Sequence, residues 1–185
     1  PRKLMPTSLI FGAAGFLGSN LSSALLKKGH RVIGLDNFAT SSHQNLDALL
    51  PNPNFEFIEA NVSENSGWPQ FEKLDYIFHF ASPASPPKYQ KLGLETLKAN
   101  TVGTEHLINL AIKHAARFLY ASTSEIYGDP AVTPQSEDYW GNVNTIGPRS
   151  VYDESKRLGE TLVSLFNREY GLNGSIIRIF NTYGP

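Results

Sequence analysis

The 185-residue chain contains no cysteine, so disulfide staples and thiolate metal ligands are both unavailable to it. Its histidines, at 30, 43, 79, 106 and 114, include no H-x-x-x-H pair, and no metal site is expected. Neither sign of charge is in excess. A formal net charge of -1 gives no electrostatic reason for nucleic acid or an anionic membrane surface to be a partner. No window approaches the ~20 consecutive apolar residues of a membrane span. The amino end, PRKLMPTS, lacks the apolar stretch of a secretory signal, so a cytoplasmic protein is the default expectation. Internal repeats and low-complexity tracts are also missing. What is present is ordinary globular composition, 41% hydrophobic and 18% charged, at a length that suits one domain.

Apolar runs alternate with amphipathic stretches. SLIFGAAG (8–15) reads as a buried strand entering a glycine turn, followed by a helix through FLGSNLSSALLKKG that Gly29 can end. RVIGLD (31–36), FEFIEANV (55–62) and YIFHFAS (76–82) read as further strands, and the Pro-rich PASPPKY as loop. A long helical pattern from about Leu92 to Ala115 precedes a fifth strand, RFLYAS (117–122). A polar loop fills 128–149, a helix covers about 150–170, and SIIRIF (175–180) is the sixth strand. Strands buried on both faces, alternating with helices, predict an α/β, Rossmann-like doubly wound parallel sheet, with residues 1–185 forming one nucleotide-binding domain. In such sheets ligands lie at the carboxyl ends of the strands.

GAAGFLG sets Gly12, Gly15 and Gly18 between the first strand and the first helix. Glycines there allow a tight turn, backbone approach to a pyrophosphate and close helix–strand packing, and the helix amino terminus attracts the phosphates. Asp36 ends the second strand 18 residues after Gly18. Its carboxylate can accept from both ribose hydroxyls of NAD and would repel the 2′-phosphate of NADP. NAD is therefore the expected cofactor; the alternative is a turn or N-cap aspartate.

ASTSEIYGDP (121–130) puts Thr123, Ser124 and Glu125 where the fifth strand ends, and YDESK begins 27 residues past Glu125. Tyr152 is the only one of eight tyrosines with a lysine, Lys156, four residues later. Chance would supply about 0.4 such pairs, so placement on one helix face after the STSE strand carries the weight. A tyrosine of pKa about 10 is a poor base near neutrality. The expectation is that Lys156 and a positive nicotinamide lower that pKa, letting Tyr152 take a proton from a sugar hydroxyl that Thr123 orients.

Taken together, GAAGFLG, LDNF, ASPASPPKYQ, ASTSEIYGDP, EDYWGNVNTIGPRSVYDESKR and RIFNTYGP resemble the extended short-chain dehydrogenase/reductases, and within them the UDP-glucuronate decarboxylases, or UDP-xylose synthases. The resemblance implies NAD-dependent oxidation of UDP-glucuronate at C4, loss of CO2, reprotonation at C5 and reduction to UDP-xylose. It casts Tyr152 as general base and later acid, Lys156 as its tuner and a ribose ligand, Thr123 as orienter of the C4 hydroxyl, and Glu125 as the group handling the ring or the C5 proton. Ser124 stands where the related 4,6-dehydratases carry an aspartate that expels a hydroxyl, which favours decarboxylation over dehydration. A dehydratase or epimerase of the same family, and a non-catalytic NAD-binding module, are the alternatives.

The same resemblance makes Phe16, Leu17, Asn37, Phe38, Thr40, Val62, Phe80, Ser82 and Thr182 cofactor contacts. Asn61, in place of a usual aspartate, alters the adenine contact. Pro83, Ala84, Lys98 and Asn181 become contacts to the UDP-sugar. It implies a homodimer through the helices at about 92–115 and 150–170. It also implies a small carboxy-terminal substrate domain beyond NTYGP. That domain is missing here, which leads to the expectation of a fragment that binds NAD but turns over slowly or not at all.

Overall fold

The computed structural model describes residues 5–184; the first four residues of PRKLMPTS and the proline closing NTYGP lie outside them. Six parallel strands form one sheet in the order β3-β2-β1-β4-β5-β6. They are β1 (Thr7–Phe11), β2 (Arg31–Asp36), β3 (Phe55–Glu59), β4 (Tyr76–His79), β5 (Arg117–Thr123) and β6 (Asn173–Ile179). The helices are α1 (Phe16–Lys27), α2 (Pro86–Lys91), α3 (Gly93–Asn100), α4 (Val102–His114) and α5 (Ser150–Glu169). The doubly wound expectation holds. One apolar cluster, with Leu9, Phe11, Ile77, Leu107, Phe118 and Val163, fills the face under α4 and α5; the other, with Ile10, Leu25, Val32 and Leu46, fills the face under α1. No helix among the described residues is long and apolar enough to cross a membrane.

Three expectations about elements are corrected. Pro86–Lys91 is helical, because both prolines sit in the first turn, where a missing N–H costs nothing and a fixed φ is already helical. The helix expected from Leu92 to Ala115 is two helices, broken at Thr101 (φ -115°, ψ -78°). Thr96, Thr101 and Thr104 each return a hydroxyl to the carbonyl four residues earlier, a bond that bends helices. The break brings Gly103 so close to Val62 that an added Cβ would lie 2.8 Å from its methyl. The apolar runs at β1, β3 and β4 also continue past the strand ends. Those extra residues leave the sheet to line the crevice instead.

The order of the strands reverses between β1 and β4, whose two connections diverge to opposite sides of the sheet. The crevice at such a switch point lies outside the carboxyl ends of these two strands. Gly12 follows β1 and Phe80–Ser82 follow β4, so the crevice is lined from both sides.

Candidate active site

The glycine loop is packed too tightly for side chains. A Cβ on Gly12 would fall 2.7 Å from the Phe80 carbonyl carbon, and one on Gly18 would fall 2.0 Å from the Gly12 oxygen. Gly12 also has φ +86°, a left-handed conformation that glycine tolerates. The helix α1 therefore begins directly beneath open space. It has no side-chain cap and no acidic residue in its first turn, leaving backbone N–H groups free for an anion.

A cavity of about 610 Å³ lies above this turn and reaches from Gly12, Gly15, Phe16, Leu17 and Gly18 to Tyr152 and Lys156. Thr40, Phe80, Ser82, Ala84, Asn181 and Thr182 line it as well. A second recess of about 260 Å³ shares Gly12, Gly15, Thr40, Phe80 and Ser82 with it and continues past Asp36, Asn37, Asn61 and Val62. The two form one groove with a carboxylate at one end and a tyrosine and a lysine at the other. A glycine turn at a helix start between those two polar ends fits a dinucleotide.

Asp36 is buried and engaged at both oxygens. It accepts from the Ala14 N–H at 3.0 Å, the Phe38 N–H at 2.9 Å and the Ser41 hydroxyl at 2.8 Å. A carboxylate has about four acceptor positions, so one stays open and Ser41 Oγ is the donor that ribose hydroxyls would displace. Phe38, at φ +54°, stacks on His43 with centroids 3.6 Å apart, which closes the floor beside Asp36. Asn61 turns inward on its own loop, accepting from the Ser63 N–H and hydroxyl and donating to Glu64. Pro83 and exposed Lys98, expected at the sugar, line the recess that holds Asp36 and Asn61.

At the other end, β5 delivers Thr123 and the turn Ser124–Tyr127 delivers Glu125, whose N–H the Thr123 hydroxyl accepts at 3.2 Å. The helix α5 brings Tyr152 and Lys156, one turn apart and both buried. Tyr152 lies flat on Tyr89 of α2, with centroids 4.8 Å apart and planes 3° from parallel. Lys156 Nζ donates to the Ala121 carbonyl at 2.7 Å and sits 5.0 Å from the Tyr120 ring centroid and 5.8 Å from that of Tyr152.

The expected lowering of the Tyr152 pKa combines Lys156 with a positive nicotinamide, and without the cofactor burial outweighs it. Burial pushes the Tyr152 phenol up to about 12, against a downward pull from the Thr123 hydroxyl and with further upward pushes from Glu125 and Asp153. Burial likewise brings the Lys156 ammonium down to about 7, partly offset by Glu160. Burial thus weakens the pull of Lys156 on the Tyr152 phenol. A further cation at the nicotinamide end of the groove would lower the phenol's pKa.

Five groups not singled out from sequence lie in this site or behind it. Arg149 forms an ion pair with Glu125, and Asp153 lies one helical turn further along α5. Ser122 donates to Glu160 at 2.6 Å, and Glu160 in turn holds Arg178 of β6 through two bonds of 3.0 and 2.8 Å. Arg149 and Asp153 stand within the PRSVYDESKR motif, so the motif held them while spacing alone gave no reason to choose them. Ser124, Glu125, Arg149 and Asp153 border a separate cavity of about 810 Å³ that extends under the 128–149 loop. Ser124 and Glu125 line both this cavity and the groove.

The chain is similar to UDP-glucuronic acid decarboxylase 1 of Xenopus tropicalis, with 49% identity over 177 residues, 96% of this chain and 41% of the relative. It is 48% identical to UDP-glucuronic acid decarboxylase 6 of Arabidopsis thaliana over 96% of this chain and 51% of the relative. It thus spans about half the length of the curated relatives it matches. Among solved structures, the dTDP-glucose 4,6-dehydratase DesIV of Streptomyces venezuelae, with NAD bound, superposes with a TM-score of 0.85 at 26% identity, covering 97% of this chain and 57% of that one. The family model described as the NAD dependent epimerase/dehydratase family matches residues 8–185, and the chain belongs to that family.

Proposed function

We propose that this chain carries the cofactor groove and the proton-transfer residues of an NAD-dependent UDP-glucuronate decarboxylase, with residues 1–185 acting as one NAD-binding unit. The observation that carries the reading is Ser124 between Thr123 and Glu125 at the junction of the groove and the second cavity. A hexuronate leaving CO2 needs no acid at that position, and a carboxylate there would repel its own carboxylate. The decarboxylase relatives support the same choice.

Bound NAD supplies the acceptor and later donor of the C4 hydride. The chain's residues do the rest. Gly12–Gly18 and the amino end of α1 take the pyrophosphate, and Asp36 takes the ribose. Thr123 aligns the C4 hydroxyl, and Tyr152 removes its proton once a positive nicotinamide has lowered the phenol's pKa. With a ketone at C4, the C6 carboxylate is β to a carbonyl and CO2 departs. Glu125 returns a proton to C5, and Tyr152 gives its proton back to the C4 oxygen. Exposed Leu94 and Leu97 on α3, Val102 on α4 and Leu158 on α5 favour a homodimer across these helices.

The test is mass-spectrometric product analysis with NAD and a mixture of UDP-glucuronate and dTDP-glucose. UDP-xylose or its UDP-4-keto precursor, formed slowly, is the expected product. A 4-keto-6-deoxy sugar nucleotide would move the chain to the dehydratases.

A further inference from the structure

Asp153 has no part in the scheme above, yet it is the most constrained carboxylate near the sugar end of the site. It follows Tyr152 directly on α5 and is only 6% exposed. One of its oxygens, Oδ1, is buried without a hydrogen-bond partner. Its backbone N–H is bonded to the Arg149 carbonyl at 3.1 Å, so Arg149 and Asp153 share one helix face. Arg149 is ion-paired with Glu125, and all three residues border the same cavity. Two carboxyl groups thus border one cavity with an arginine that pairs with Glu125 and whose side chain is half exposed.

A buried carboxylate oxygen with no donor is costly. Two carboxyl groups can remove that cost by holding one proton between them, because the neutral partner becomes a donor. We propose that Asp153 is a positioning residue that shares one proton with Glu125 and so holds Glu125 ready to deliver a proton to the sugar ring. This rests on the role given above to Glu125. The step balances: the pair starts with one proton and a single negative charge. Glu125 gives that proton to C5 of the enolate left by CO2, and the pair is left with two negative charges facing Arg149. Water entering the open cavity then restores the proton.

The groups facing Asp153 agree with this arrangement. Burial, the Glu125 carboxylate and, more weakly, Glu154 push the Asp153 carboxyl up to about 6, while Arg149 pulls it down. Tyr89 of α2 and Tyr152 are the neighbouring phenols, and both are shifted up, mainly by burial.

The test needs neither cofactor nor sugar, so it stands apart from the product assay. The chain is labelled with 13C at aspartate carboxyls and titrated by NMR, with Asp153→Asn assigning the signal. The expected result is an Asp153 carboxyl titrating well above the ordinary aspartate range, and moving down by at least one pH unit in Glu125→Gln. The reciprocal measurement, 13C-glutamate in Asp153→Asn, follows the Glu125 signal and stands if Glu125→Gln fails to fold. An Asp153 that titrates in the ordinary range overturns the proposal. So does a raised Asp153 that ignores Glu125→Gln, or a Glu125 whose titration does not respond to Asp153→Asn, since burial alone would then account for the shift.

Discussion

Lys156 is buried, and its charged form meets a carbonyl, the rings of Tyr120 and Tyr152 and, at longer range, Glu160. Burial brings its pKa in the folded chain down to about 7, below the ordinary lysine value. The contribution to stability is therefore highest above the unfolded pKa and falls as pH drops towards 7, because the unfolded lysine takes a proton that the folded one resists. Lys156→Met should raise the melting temperature of the unliganded chain at pH 7 by several degrees, with the gain shrinking towards pH 10. NAD affinity should fall in the same variant. Thermal denaturation across that pH range checks it, and a lower melting temperature at pH 7 would show that the lysine is a structural residue. At the same scale, Asp153→Asn should add stability at pH 7 and little at pH 4. The folded Asp153 pKa of about 6 is raised, so its contribution is present at low pH and lost as pH rises through 6.

At the scale of elements, α5 is seated on β5 by Gly159, where an added Cβ would meet the Tyr120 hydroxyl at 2.1 Å and its ring carbon at 2.3 Å. Tyr120 is fully buried and has nowhere to turn. Gly159→Ala should cost about 2–3 kcal/mol from overpacking, lowering the melting temperature by ~5–10 °C. Because Tyr120 also lies against Lys156, NAD binding should weaken in the folded fraction. Much of this level was legible in the sequence. Runs of Val, Ile, Leu and Phe at almost every position marked strands covered on both faces, and the spacing of Tyr152 and Lys156 matched one helix turn. The break at Thr101 was not legible, since apolar periodicity runs through it and threonine spacing alone does not say which hydroxyls turn back onto the helix. The helix at Pro86–Lys91 was hidden because proline reads as a breaker without knowledge of where a helix starts. The protonation chemistry was the least legible. Asp153 and the pKa of Tyr152 depend on depth of burial and on which charges meet across elements, and neither has a sequence period.

At the scale of the whole molecule, Arg178 is a tie between layers. From β6 it holds Glu160 on α5, the Tyr127 hydroxyl at 2.9 Å after β5, and the Glu137 carbonyl at 2.8 Å in the long loop. Glu160 reaches on to Ser122. Arg178→Met would leave the poorly exposed Glu160 with Ser122 as its remaining hydrogen-bond donor, at a cost of ~3 kcal/mol. Adding Glu160→Gln should recover a large part of that loss. Urea denaturation of the two single variants and the double variant measures the coupling, and strict additivity would mean that the two side chains act independently.

Ser124, Glu125 and Phe180 form the wall shared by the dinucleotide groove and the 810 Å³ cavity. For inhibitor design this wall is a bridge. A nicotinamide-side fragment alone would address a groove common to NAD-dependent enzymes, whereas the neighbouring cavity is shaped by this chain's own 128–149 loop. A short tether crossing over Ser124 would join the two and turn the second contact into an intramolecular one, so the joined molecule should bind far more tightly than either half. Calorimetry on the two halves and the joined compound would show it. Discrimination against other NAD enzymes would then come from the half that never touches the glycine loop.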